Sequence, residues 1–281
     1  MSEHKIKKQD WENWVEHFSK LKHPIVPGEE SISRYKELIL KHVCNGNKEE
    51  CKGKTALILG ATWQLRDLLA EMGFKVTSVD ISELMMKVHT EMCQVKDRDE
   101  KTLVENWLEF TSDEKFDLVV SDAGNFQFKE ENYDSFFSKV ASLVKDDGFS
   151  IQLIEGNHKN TSITMEEFVE FLKNATDEEV DDYKNKAYYY LATAAHKNKD
   201  QFGNVGTLEH DIKPFIESGE ISSEKFDRFS IHVDNFSAVL LPNDRIEAHI
   251  TKSLEIVETI PFGAGKAEEC FYWLYVMRKK N

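Results

Sequence analysis

The chain has 281 residues, 40% of them hydrophobic, and 36 Lys+Arg against 51 Asp+Glu give it a net charge of −15. That length accommodates one large domain or one domain with an inserted lid, and the acidic field repels phosphate backbones and anionic lipid, which argues against a nucleic-acid substrate. No stretch reaches the ~18 uninterrupted apolar residues of a membrane span, the N-terminus has no apolar signal core, and Cys44, Cys51, Cys93 and Cys270 show neither CxxC nor zinc-ligand spacing, so free thiols in a soluble, cytoplasmic protein are expected.

Gln9 to Leu21 reads as a helix with Trp11, Trp14, Val15 and Phe18 on one side. Core packing explains that periodicity, and so would a cover over a ligand pocket. Pro24, Pro27 and Gly28 break the chain. Ser31 then opens a second helix with Ile32, Tyr35, Leu38, Ile39 and Val43 as its stripe. Ala56 to Leu59 is a short apolar run, as in a strand buried on both faces. Gly60 ends it, Leu65, Leu68, Leu69 and Met72 follow at helical spacing, and Gly73 stands where a left-handed C-cap belongs. Val76 and Val79 carry a second strand closed by Asp80, twenty residues after Gly60. This is a βαβ unit of the kind that binds a nucleoside-containing ligand, the terminal acid accepting from a ribose diol. The phosphate-binding turn would have three glycines; here Ala61, Thr62 and Trp63 fill it, which disfavours a dinucleotide.

Ser82 is a helix N-cap candidate, followed by Leu84, Met85, Val88 and Met92 on one face. After the charged stretch Lys96 to Lys101, Leu103-Val104 allows only a short strand. Phe116 to Asp122 is a clear strand, Asn132 to Lys145 a helix, and Asp147-Gly148 a turn into a strand from Phe149 to Ile154. The alternation predicts a doubly wound α/β sheet, mostly parallel. Beyond it, Thr164-Met-Glu-Glu167 and Thr176-Asp-Glu-Glu179 have the capping-box form; the second helix is predicted to run to about Lys197. Strand pieces are expected near Ser230 to Val233 and Ala238 to Leu241, and a helix over Arg245 to Leu254. The chain closes on two strand runs, Leu254 to Pro261 and Cys270 to Arg278, a terminal hairpin that parallel sheets usually lack.

At these residues the chain resembles the class I S-adenosylmethionine-dependent methyltransferases. The turn from Leu59 to Leu68 is similar to a Gly-x-Thr-Pro-Glu-Leu-Arg-Asp-Leu variant of that family's first motif, with Trp63 in place of the proline. Val79-Asp80-Ile81-Ser82 looks like its acidic second motif, and His23-Pro24-Ile25-Val26-Pro27 like the lead-in of the same subgroup. The resemblance covers roughly Leu21 to Ile154 and the C-terminal hairpin. It implies a seven-stranded sheet in the order 3-2-1-4-5-7-6, a single domain over 1–281 with an N-terminal helical cover at 1–50 and a lid insertion at 161–241, and S-adenosyl-L-methionine as cofactor. By the same resemblance Gly60, Ala61 and Thr62 line the methionine moiety, Asp80 binds the ribose, Ile81 and Asn106 meet the adenine, Trp107 adds an adjacent contact, and Asp122 and Ala123 face the transfer point. Trp107 is equally explained as a core aromatic and Asp122 as a strand-end turn former. Arg66 could reach the ligand carboxylate, although a surface ion pair with Asp67 or Glu71 explains it better.

Methyl transfer from a sulfonium needs alignment and exclusion of water more than any fixed catalytic residue. Base candidates are His196, His210, Asp122 and the run Tyr188 to Tyr190. The strand-four exit reads Asp122-Ala123-Gly124-Asn125 and lacks the Asn/Asp-Pro-Pro-aromatic tetrad of enzymes that methylate base amines. The expected acceptor is therefore a small molecule, with neither nucleic acid nor membrane as partner, no metal site, and no prediction of oligomeric state. The alternatives are a non-catalytic S-adenosylmethionine-binding regulator and a NAD-dependent oxidoreductase.

Overall fold

The computed structural model describes residues 15, 26–125, 128–156, 163–182, 184–187, 189–190, 203–204, 207–230, 237–238, 241–261 and 272–280. The elements are α1 (Glu29–His42), β1 (Thr55–Leu59), α2 (Trp63–Glu71), β2 (Lys75–Asp80), α3 (Glu83–Met92), β3 (Glu100–Val104), β4 (Phe116–Asp122), α4 (Tyr133–Leu143), β5 (Val144–Glu155), α5 (Met165–Asn174), α6 (Asp177–Asp181), β6 (Gly203–Asn204), α7 (Thr207–Glu217), α8 (Ser223–Phe229), β7 (Ser237–Ala238), α9 (Asn243–Ile250), β8 (Leu254–Pro261) and β9 (Tyr272–Lys279). Seven strands form one sheet in the order β3-β2-β1-β4-β5-β9-β8. Its first five strands are parallel, and β9 runs antiparallel to both of its neighbours, β5 and β8. This is the expected doubly wound fold with its terminal hairpin.

Alternate residues of the strands feed two cores. Ala56, Ile58, Leu118, Val120, Ile151, Leu153, Tyr272 and Leu274 pack under α1 and α2. Leu57, Leu59, Val119, Ile154, Trp273 and Tyr275 pack against α4 and α9 on the other face. A third cluster, with Phe168, Leu172, Val180, Ile212 and Phe229, belongs to α5–α8. Both capping boxes are formed, Thr164 with Glu167 and Thr176 with Glu179.

Several boundaries differ from the sequence reading. Strand β3 begins inside the charged stretch, at Glu100, because that carboxylate is neutralised by Arg66 and Arg98. Strand β5 runs from Val144 through Asp147-Gly148, where a register shift in its pairing with β4 replaces the expected turn. Gly148 is required there, since a β-carbon would lie 2.9 Å from the Phe116 carbonyl oxygen. The buried stripe of α3 is Met85, Met86 and His89, while Leu84 is 40% exposed. Helix α6 stops at Asp181; 184–187 and 189–190 are again helical, and 191–197 lie outside the described residues. Ser230 is the C-cap of α8 and Ser237–Ala238 pairs with Gly203–Asn204, while 231–233 and 239–240 of the expected strand pieces lie outside the described residues. The predicted helix at 9–21 falls outside the described residues except for helical Val15, which packs on Ala61, Met85 and Met86.

The free-thiol expectation is overturned at two of the four cysteines. Cys44 and Cys51 form a disulfide, their Cα atoms 5.1 Å apart. Left-handed Asn45 and Gly46 turn the chain sharply after α1, and the short 3-10 helix Lys48–Cys51 brings the second thiol back. Spacing rules tuned to CxxC pairs pass over this geometry, and the bond removes thiol usage as an argument for a reducing compartment. Cys93 is free and buried. Reduction of so short a loop is expected to cost about 2 kcal/mol of stability, read from urea unfolding with and without dithiothreitol and checked with Cys51→Ser.

Candidate functional site

The carboxyl edge of the sheet gathers the residues expected to hold the cofactor: Gly60 to Thr62, Asp80, Ile81, Asn106, Trp107, Asp122 and Ala123. The Gly60 amide donates to the Val79 carbonyl (2.8 Å), and Glu105 N to the Asp80 carbonyl (2.9 Å), drawing the loop after β3 against the ends of β1 and β2. Gly60 has φ +128°, a conformation that side-chain-bearing residues rarely adopt. Where its side chain would project, the only described neighbours within 4 Å are the Trp107 ring and the Thr62 hydroxyl, both at van der Waals distance. The turn is thus an open cradle beside the start of α2.

Asp80 sits at the rim of that cradle. Its Oδ1 accepts from Ser82 N at 2.8 Å, and the Ala61 and Ile81 amides also lean on the carboxylate. Burial pushes its carboxyl up to about 6 against these donors, so it is ionised at neutral pH. Asn106 opens a turn in which its Oδ1 accepts from Leu108 N at 3.1 Å. Trp107 is buried, donates its indole N–H to the Val79 carbonyl at 2.7 Å, and inserts its ring between the two glycine turns. A β-carbon on Gly124 would lie 2.9 Å from that ring. Its polar edge is therefore spent on the fold, which favours the core-aromatic alternative.

Trp63, the departure from the proline of the resembling motif, adds an amide where proline has none. That N–H meets His89 Nδ1 at 3.2 Å. Burial and the neighbouring Arg66 charge lower the His89 pKa to about 4, which keeps the ring neutral and able to accept. Sequence spacing hid His89 because the buried stripe of α3 is rotated from the one expected.

Arg66 corrects the surface-pair expectation. It is fully buried, its Nε and Nη2 reach Glu100 at 2.6 and 2.9 Å, and Nη2 also donates to Thr90 Oγ1 at 2.8 Å. Asp67 instead accepts from Gln94 N and Val95 N, at 2.7 and 3.1 Å. The Arg-Asp pair of the first motif thus pins the α3–β3 connection.

Beyond Gly60 the edge continues to Asp122. Register aligns Val79 and Ser121 with Leu59, so Asp80, Gly60 and Asp122 form one row on the face covered by α1 and α2, with glycine leaving the middle open. Asp122 Oδ1 is enclosed without a hydrogen-bond partner among the described residues, and burial pushes its carboxyl up to about 7. Ala123 follows at φ +50°, a left-handed non-glycine residue of the strained kind that clusters at functional turns. Its amide donates to the Leu153 carbonyl at 3.0 Å. Asn125 clasps the Glu155 backbone through both amide atoms, at 2.7 and 3.0 Å.

The sequence reading missed Glu155, Tyr272 and Tyr35 in this row. Ending β5 at Ile154 left Glu155 outside the strand, although it continues the alternation Ile151, Leu153, Glu155 on the face of Asp122. Of the base candidates, His210 is exposed, Tyr190 is buried with its hydroxyl 2.9 Å from Ser230 Oγ, and Tyr189 stacks on Phe171; His196 and Tyr188 lie outside the described residues. Among the described residues no group of three His, Cys, Asp or Glu could hold a metal ion, and no helix is long and apolar enough to cross a membrane.

The family model for mycolic acid cyclopropane synthetase matches residues 40–177. A curated protein of Geobacillus sp. (strain WCH70), provisionally named a methyltransferase, is 27% identical over 121 residues, 42% of this chain. The chain aligns with about half, 47%, of that relative's length. Among solved structures, a provisionally named zinc-dependent alcohol dehydrogenase from Rhodobacter sphaeroides superposes with TM-score 0.59 at 15% identity, covering 98% of each chain. The magnesium protoporphyrin IX methyltransferase of Synechocystis PCC 6803, solved with bound S-adenosylhomocysteine, superposes with TM-score 0.56 at 12% identity, covering 99% of this chain and 100% of that one. At these identities the structural likeness speaks for the fold. The family match covers just under half of the chain, and the solved structures share its fold.

Proposed function

We propose that the protein is an S-adenosylmethionine-dependent methyltransferase with a small-molecule acceptor. One observation carries this reading: the row Asp80, Gly60, Asp122 at the carboxyl edge of a sheet whose order reverses beside β1 and ends in an antiparallel hairpin. When bound, S-adenosylmethionine supplies an electrophilic methyl group. The residues present fit that ligand. Gly60 keeps the cradle open, and Ala61 and Thr62 line it. Asp80 offers a carboxylate for the ribose diol, with Ile81 and Asn106 beside it for the base. Trp107 supports the turn from beneath, and Asp122 and Ala123 stand at the far end, where the acceptor would enter. The helical unit with its own core, within 161–241, would cover that end, and the helix containing Val15 the turn. The acidic surface supports a small-molecule acceptor over nucleic acid.

Calorimetry tests the cofactor. Binding of S-adenosylhomocysteine and no heat with NAD is expected; the reverse result would sink the proposal in favour of an oxidoreductase. Asp80→Ala should weaken S-adenosylhomocysteine by about 1–3 kcal/mol, the scale of lost charged hydrogen bonds. In the parent protein affinity should fall as pH drops through about 6, since protonation of Asp80 removes an acceptor. An unchanged affinity would take Asp80 out of the site.

A further inference from the structure

The row at the carboxyl edge does not end at Asp122. Asp122 pairs with Leu153, and Glu155 pairs with Tyr272, so the two carboxylates are diagonal neighbours on one face of the sheet. The Tyr272 hydroxyl donates to Glu155. The Tyr35 hydroxyl, reaching in from α1, donates to the Ser121 carbonyl at 2.7 Å and accepts from Leu153 N at 3.0 Å. Asp122 keeps an enclosed oxygen with no partner among the described residues. Among the described residues the titratable groups acting on the pair are Tyr35, Tyr133, Tyr272 and the carboxylates themselves, and neither carboxylate forms an ion pair.

Two enclosed carboxylates with no counter-cation among the described residues are costly unless they share a proton or meet a cation. We propose that the missing partner is the acceptor: an amine whose ammonium nitrogen docks against Asp122 and Glu155 and surrenders a proton to them before transfer. This rests on the methyltransferase reading above. One N–H proton passes to the Asp122 carboxylate and frees the nitrogen lone pair. That pair forms the N–C bond while the C–S bond breaks with its electrons left on sulfur, and the product departs as an alkylated ammonium. Burial sets Asp122 at about 7, and burial together with the Asp122 charge sets Glu155 at about 8, so the pair exchanges protons in the range where this step is useful. An alcohol or thiol acceptor would bring no cation to offset the pair.

The test uses the full-length protein with S-adenosylmethionine and a panel of primary and secondary amines, each beside the alcohol of the same carbon skeleton. S-adenosylhomocysteine release is expected with amines only, with kcat rising as pH passes through about 7 to 8. Asp122→Asn should lower kcat about 100-fold or more while calorimetric affinity for S-adenosylhomocysteine stays within about threefold. Glu155→Gln should move the pH profile of the remaining activity downward, because a negative neighbour of Asp122 is gone; a purely structural role would leave the profile in place. Turnover of alcohols without amines, full activity in Asp122→Asn, or an unmoved profile in Glu155→Gln would each overturn the inference. So would a protein that binds S-adenosylhomocysteine and turns over no amine. A protein that does not bind S-adenosylhomocysteine would fail the methyltransferase reading itself, and the inference with it.

Discussion

An Arg66→Ala variant is expected to lose about 3–5 kcal/mol of unfolding free energy, the cost of removing one partner from a buried ion pair. The guanidinium is fully buried and the Glu100 side chain is 5% exposed, so solvent cannot replace what is lost. Glu100 would keep Arg98 and the Ser78 hydroxyl, which places the loss toward the lower end of that range. Urea denaturation gives the number directly. Arg66→Lys should recover only part of it, since one ammonium cannot serve both Glu100 oxygens and Thr90 in the planar geometry of the fork. A loss below about 1 kcal/mol, the range of solvent-exposed pairs, would return Arg66 to the surface role expected from sequence.

Trp107→Ala is expected to destabilise by a similar amount, about 3–5 kcal/mol, through the cavity left by a buried indole. Its ring separates the Gly60 and Gly124 turns, so the same substitution should also loosen the cradle and weaken S-adenosylhomocysteine. Trp107→Phe distinguishes packing from polarity. It keeps most of the ring and removes only the N–H donated to Val79, whose carbonyl still receives the Gly60 amide at 2.8 Å. A cost of about 1 kcal/mol is expected there. Should both variants unfold like the parent while ligand affinity collapses, the indole serves the ligand and not the fold.

The local units of this fold were legible because their signals are local. Gly60, Gly73 and Asp80 mark the ends of elements by backbone freedom and charge, and the Ser82, Thr164 and Thr176 caps stand as read, each accepting the amide three residues on. The terminal hairpin was read from its two closing strand runs, but the strand order was legible only through resemblance, since no single stretch encodes which strands are neighbours. What escaped was set by contacts between distant residues. Arg66 looked like a surface residue because its partner is 34 positions away. His89 was hidden by a small rotation of α3, and Glu155 by a strand end placed one residue early. The Cys44–Cys51 bond depended on a left-handed turn at Asn45-Gly46; that dipeptide marks a turn, but nothing local says that the turn returns Cys51 to Cys44.

The Tyr35 hydroxyl has a bearing on the order in which the molecule assembles. The Gly60–Asp80 half of the edge is closed by one βα unit, a short span of chain that can organise early. The Asp122–Glu155 half is held by a side chain from α1 that reaches across 86 residues to Ser121 and 118 to Leu153. Contacts of such separation carry a loop-closure cost that local pairs do not. The end of the edge nearest Asp122 is therefore expected to form last in folding and to be the first to open, so that slow-exchanging amides at Val79 and Gly60 would outlast the one at Leu153.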